Sequence, residues 1–331
     1  MNMISLLKMM KRKAEALMLN LKNRGEASKA FEYDKKVFFA HAGALHLDRK
    51  PAARAEIVMG YHVIEKGLTM PHRRLGFGKG AVVHLMNLID SFEKRFGDDS
   101  QVTHAIAVLR AYRELHKDWQ EPMPRLDAFL AAHSNVPAAV QPHVTRDEFY
   151  SRQEASFPEF AASRHVVRHF AAPVPHELLN EAFEIAMTAP SACNRQHARI
   201  HVIDNPQLRD RLLALQGGTR GFGSDADKLI IVTSDLSVVR WAWERHDCYV
   251  NGGIFVMNLS YALHYKGIAH CILHWSVSPD YDRQAHEIIG IPENEAIVTL
   301  FVCGLAPDEF DVASSPRLPL DDILTWHGGD K

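Results

Sequence analysis

Arg164 and Arg168, four residues apart in Arg164-His165-Val166-Val167-Arg168-His169-Phe170, are the first residues whose type and spacing suggest chemistry. A guanidinium presents five N–H donors in a planar fork that matches a phosphate, so two of them side by side suit an anion with several oxygens. If the segment is helical, the four-residue step aims both the same way. Taken alone, an exposed arginine pair is ordinarily a solvated face. A second candidate is the loop Ser191-Ala192-Cys193-Asn194-Arg195-Gln196, whose uncharged hydrogen-bonding side chains suit a neutral heterocycle with both donors and acceptors. The plainer reading is a turn in which Ser191 and Asn194 satisfy the local backbone.

Other patterns invite chemistry and do not support it. Of the 20 histidines, His270 with His274 and His197 with His201 have ligand-like spacing. Both pairs lie in expected strands, where a four-residue step spans about 13 Å, too far for one metal. The 4 cysteines, Cys193, Cys248, Cys271 and Cys303, show no C-x-x-C spacing, which argues against a zinc-thiolate site and a disulfide framework and for a reducing, cytoplasmic setting. Residues 73–80 are glycine-rich, but position 73 is Arg where a P-loop needs glycine and no Ser or Thr follows Lys79, so they read as a loop. His62, Glu65 and Lys66 share a helix face and are expected as an exposed polar face before Gly67. Trp241, Trp243 and Tyr249 are expected in packing.

These residues need elements to position them. The 331 residues suffice for two modest domains. A formal net charge of −2, from 38 Lys+Arg against 40 Asp+Glu, removes nucleic acid as the default partner. Apolar residues keep a helical period through the first third, with helices expected over 53–66, 81–96 and 101–118, so residues 1–133 read as a helical domain. Residues 134–150, with Pro137 and Pro142, read as a linker. Within residues 1–24, basic residues oppose a stripe of Leu7, Met10, Ala14, Leu17, Met18 and Leu21. That pattern fits a helix packed on its own domain, with contact to an anionic membrane surface as the alternative. Residues 151–331 alternate helices with short β-branched runs at 199–203, 229–233, 269–276 and 296–302. Such alternation by itself suggests a parallel sheet, yet no G-x-G-x-x-G follows any of the runs, which disfavours a dinucleotide fold.

The order of the pieces resembles the FMN-dependent nitroreductase family over about residues 160–331. Arg164, Arg168 and Phe170 are followed by Val174, Pro175, Leu178 and Leu179, then by Ala189, Pro190, Ser191, Asn194 and Gln196 and a strand. Further on come 247–267, a helix ending in glycine, and Ile291-Pro292-Glu293-Asn294-Glu295 before a strand ending in Gly304. The resemblance implies an α+β fold with a largely antiparallel central sheet flanked by helices, here preceded by an all-α N-terminal domain. It implies a homodimer with FMN at the subunit interface, NADH or NADPH as co-substrate, and two-electron reduction of a small electron-poor substrate in ping-pong order. It further implies that Arg164, Arg168 and Arg317 reach the phosphate end of FMN, with His165 and Val166 lining that segment. Ser191, Ala192, Cys193, Asn194 and Gln196 would surround the ring, Asn194 orienting it, and His270 and Cys271 would run past its face. Val166 replaces a common Ser or Thr, and Gln196-His197-Ala198 replaces Gln-Pro-Trp. Two other functions fit the same residues: a specialised flavin-dependent oxidase or flavin-consuming enzyme, and a non-catalytic scaffold whose helical domain binds a partner or a membrane.

Overall fold

A computed structural model describes residues 3–328 of the protein. Residues 1, 2 and 329–331, the outer ends of the expected basic helix and of the second domain, lie outside the described residues. The chain opens with a long helix α1 (Met3–His41), then α2 (Lys50–Leu68), α3 (Lys79–Phe96), α4 (Ser100–Leu115) and α5 (Pro124–Ala132). Helices α2, α3 and α4 match the three expected helices and bury one stripe each. Ile57, Tyr61, Ile64 and Leu68 of α2 meet Val82, Leu85, Ile89 and Phe92 of α3 and Ile106, Leu109 and Tyr112 of α4 in a core of their own. The start of α4 is fixed by Asp99, whose carboxylate accepts from the backbone N of Gln101 and from Arg54 of α2.

Helix α1 departs from expectation. Leu7, Met10, Leu17, Met18 and Leu21 are all more than half exposed, so the stripe does not pack on its own domain. The helix is tied instead by its polar residues. Arg245 grips Asp34 at 2.5 and 2.6 Å, and Asn23 Oδ1 accepts from the backbone N of Ala242.

Residues 143–150, expected within the linker, are built into the second unit. Strand β1 (His143–Thr145) pairs antiparallel with a late strand at Glu309–Asp311, and α6 (Arg146–Tyr150) starts on a Thr145/Glu148 capping box. Then follow α7 (Phe157–Ser163), α8 (His176–Ala186), β2 (Ala198–Ile203), α9 (Pro206–Gln216), β3 (Lys228–Asp235), α10 (Asp247–Tyr265), β4 (Ala269–His274), α11 (Pro279–Ile289), β5 (Glu295–Gly304) and β6 (Glu309–Asp311). Strands β2 to β5 form one sheet in the order β2-β3-β5-β4 with every neighbour antiparallel, so the alternation of helix and strand does not yield a parallel sheet.

Period-two alternation buries both faces of this sheet. On β3, Leu229 and Ile231 face a core shared with Leu212 and Leu213 of α9 and Ala285 of α11. Ile230 and Val232 face the other way, into a core with Leu179 and Ala182 of α8 and Phe255, Leu259 and Leu263 of α10. The fold is therefore α+β: an antiparallel sheet between two helical layers, preceded by a helical unit. Among the described residues no helix is long and apolar enough to cross a membrane.

Candidate functional site

The two arginines do not sit on a helix. Arg164 caps α7 and leaves it in an extended conformation, and the chain runs on without helical turns to Phe170. Extended backbone alternates its side chains, so residues two and four apart still share a side. Arg164, Val166 and Arg168 line a cavity, joined by His165 at its edge, whereas Val167 is buried in the core beside the sheet. Backbone bonds fix this segment against the sheet: Val167 N donates to the His270 carbonyl of β4, and Ala171 N donates to the Leu305 carbonyl just after β5. Gly304 is required here, since a Cβ on it would stand 2.9 Å from the Phe170 Cβ.

The cavity, of about 1290 Å³, lies between α2 and the 161–168 segment, with residues 313–318 and Ile323 closing it. Arg317 lines it together with Arg164, Arg168 and His165, so the cations expected at one phosphate are brought to one space. No Asp or Glu is among its lining residues. Among the described residues none of the three arginines makes an ion pair, and the Nε and Nη1 of Arg164 are buried without a hydrogen-bond partner. Arg54, the other arginine of the wall, is neutralised by Asp99 and Asp322.

The electrostatics follow from this concentration of like charge. Burial, and then the neighbouring Arg317, hold the Arg164 guanidinium below its ordinary pKa. Burial followed by Arg164 and Arg317 does the same to His165, and burial followed by Arg168 lowers both His62 and Lys66 of α2. An anion in the cavity would offset the like-charge part of the shifts of Arg164 and His165, which line it. The apolar part of the wall comes from Ala55, Val58 and Met59 of α2 with Ala161, Ala162 and Leu318.

The second candidate group does not line this cavity. Ser191, Ala192, Cys193, Asn194 and Gln196 form a surface loop in which Cys193, Asn194 and Gln196 all have positive φ, near +50°. Non-glycine residues hold such angles only where their surroundings over-determine them. Here Ala192 N donates to Asn251 Oδ1 at 2.7 Å, Gln196 N donates to Ser191 Oγ, and Arg195 bridges Glu244 and Asp247 at 2.8 and 3.0 Å. Ser191 thus serves the local backbone, while the Asn194 side chain makes no hydrogen bond among the described residues. His197, at the root of the loop, is buried with both ring nitrogens unpartnered.

His270 and Cys271 are buried on β4 rather than in the wall. Ser260 Oγ pairs with His270 Nε2 at 2.8 Å, and burial pushes its pKa down to about 4, so its ring is neutral. Cys271 lies under Arg168, and burial pushes its thiol up. On the 62–66 face His62 is exposed as expected, but Glu65 and Lys66 are not solvated. Glu65 is fully buried, Lys66 donates to the Gly218 carbonyl at 2.6 Å, and His62 lines the cavity. Polar residues on one helix face were the only signal for these positions; the residues they meet lie far along the chain. Trp241 and Trp243 stack on each other at 5.2 Å between ring centres. Among the described residues no group of three His, Cys, Asp or Glu is placed to hold a metal.

Residues 161–219, which contain Arg164, Arg168 and the whole 191–196 loop, match the nitroreductase family model. No curated protein matches the chain. Among solved structures, a nitroreductase family protein from Streptococcus pneumoniae TIGR4 is 22% identical, over 52% of this chain and 100% of that one, with a TM-score of 0.46. A putative NAD(P)H:FMN oxidoreductase from Staphylococcus epidermidis is 18% identical over 52% and 96%, with a TM-score of 0.47. A putative nitroreductase in complex with FMN from Exiguobacterium sibiricum is 20% identical over 52% and 98%, with a TM-score of 0.46.

Proposed function

We propose that the protein is an FMN-dependent oxidoreductase that draws electrons from NADH or NADPH and delivers them to a small electron-poor substrate, with Arg164, Arg168 and Arg317 holding the FMN phosphate. The observation that carries this reading is the convergence of three guanidinium groups without acidic partners on one cavity, two of them inside the segment that matches the nitroreductase family. A phosphate near two negative charges is the natural complement of three such forks. When bound, FMN supplies the two-electron chemistry, and the protein supplies binding, orientation and electrostatics.

The chain's own residues divide the work. Arg164 lines the cavity and carries two donors with no partner in the protein, and Arg168, held over Phe222, presents a second fork. His165 and Val166 line the same cavity and would face the ribityl chain, the valine adding no hydroxyl contact. The 191–196 loop lies outside the cavity of the single chain and would meet the ring edge only across a homodimer; its strained backbone is fixed by Asn251 and Arg195, which leaves the Asn194 side chain free to orient the heterocycle. A homodimer completes the ring end of the site. Its support is the apolar surface of Tyr249, Val250, Ile254 and Met257 on α10, left exposed in the single chain. Nicotinamide and substrate would use the flavin in turn, in ping-pong order.

The test is a visible absorption spectrum of the purified protein, followed by anaerobic addition of NADH or NADPH. A flavin spectrum that bleaches on addition supports the reading. Bound flavin that does not bleach removes the nicotinamide step, and absence of flavin after FMN is supplied removes the proposal.

A further inference from the structure

The helical unit gives no arginine to the cluster of three, yet its most buried carboxylate is bonded to the segment that carries one. Glu65 of α2 is 0% exposed and accepts four hydrogen bonds. Ser314 Oγ donates at 2.9 Å, Ser315 N at 3.1 Å and Ser315 Oγ at 2.8 Å, and His104 Nε2 stands at 3.1 Å. Three of these donors lie just before Arg317, far from α2 in sequence. Burial alone would push the Glu65 carboxyl up; the hydrogen bonds from His104 and the serines bring it down to about 2, so it is a full negative charge at neutral pH.

Ser315 sits at φ +38°, in the left-handed region that a non-glycine residue occupies only under constraint. The Glu65 carboxylate supplies that constraint, and Arg317 Nη1 donates back to the Ser315 carbonyl on the same kink. About three turns earlier on α2, Arg54 holds Asp322 at 3.0 Å and is itself anchored by Asp99. The C-terminal segment is therefore pinned to α2 on both sides of Arg317. The Arg317 side chain is exposed, but its root is fixed: the Ser315 kink that carries it is held by a buried charge.

We infer that Glu65 is a positioning residue for the anion site: through Ser314 and Ser315 it sets where the Arg317 guanidinium stands, so that the helical unit controls how tightly a phosphate is held. This rests on the reading of the cavity as the FMN phosphate site. The role is distinct from catalysis, because Glu65 acts only through Arg317.

The experiment compares FMN with riboflavin, which has the same ring and ribityl chain without the phosphate, by fluorescence titration of the full chain. Glu65→Gln is expected to weaken FMN about tenfold or more while leaving riboflavin within about twofold, since only the phosphate contact is disturbed. In an Arg317→Ala background the same change is expected to add nothing, as two residues acting through one contact are not additive. Ser314→Ala with Ser315→Ala removes both hydroxyl bonds at the other end, leaving only the Ser315 N contact there, and is expected to reproduce the selective loss in the same direction, which guards against poor folding of the Glu65 variant. Equal losses for FMN and riboflavin, or an undiminished Glu65 effect without Arg317, would overturn the inference. Absence of any preference for FMN over riboflavin in the unaltered chain would overturn the phosphate-site reading beneath it as well.

Discussion

Arg164→Met is expected to push stability and binding in opposite directions. The arginine Nε and Nη1 are buried without partners in the protein, and Arg317 stands near it as a like charge. An unsatisfied buried donor costs about 1–3 kcal/mol, and methionine fills a similar length with no polar group. Because the side chain is only half-buried and solvent screens part of the penalty, the expected gain is about 1–3 kcal/mol in total rather than per donor. With FMN the balance reverses. A forked guanidinium–phosphate contact is worth about 2–4 kcal/mol, so the affinity should fall about 30- to 1000-fold. Thermal melts with and without saturating FMN read both effects, at roughly 2–4 °C per kcal/mol for a unit of this size. The variant should melt above the unaltered chain without FMN and below it with FMN. A variant that melts lower without FMN and binds FMN unchanged would refute the claim that Arg164 is held in reserve for an anion.

Acid stability should report on Glu65. Its folded pKa of about 2 lies below the ordinary 4.5, so its contribution is present above pH 4.5 and is lost as the pH falls toward 2. Denaturant melts of Glu65→Gln should therefore show a decline between pH 5 and pH 2 that is shallower by about 3 kcal/mol; an unchanged slope would contradict the buried-carboxylate assignment. Gly304→Ala forces a methyl against Phe170, at 2.9 Å from its Cβ, and should cost about 1–3 kcal/mol by overpacking. Because Phe170 follows Arg168 closely, FMN affinity should drop with it, and equal stability in a chemical melt would count against the close packing. Asp34→Ala removes the bidentate hold of Arg245 on α1. Limited proteolysis should then cut within residues 3–41 faster while the sheet unit melts as before; an unchanged digestion pattern would show that other contacts hold α1.

Much of the architecture was legible because it rests on local periodicity. The runs at 199–203, 229–233 and 296–302 fall inside β2, β3 and β5, and the three expected helices fall on α2, α3 and α4. The Arg164/Arg168 spacing gave the right shared direction for the wrong local structure, because extended backbone and helix both return a residue to the same side after four positions. Strand direction was less legible from texture: helix–strand alternation resembles a parallel fold, and only the family resemblance pointed to an antiparallel sheet. The Glu65 clamp was hidden because a polar residue on an apolar-periodic helix reads as solvated unless its partner is known, and Ser314 and Ser315 lie about 250 residues away. The exposure of the α1 stripe is not legible in the sequence for a related reason. Amphipathicity states that a face needs cover and does not say what covers it.

The joint hold of Arg164, Arg168 and Arg317 on the phosphate of a flavin mononucleotide is proposed from their convergence on one cavity. A crystal structure of the protein grown with FMN tests it most directly. The expected result is a phosphate within hydrogen-bond reach of all three guanidinium groups, below the α2 wall, with the ring end toward the 191–196 loop. FMN bound with its phosphate on other residues, and the three arginines facing solvent, would contradict the account.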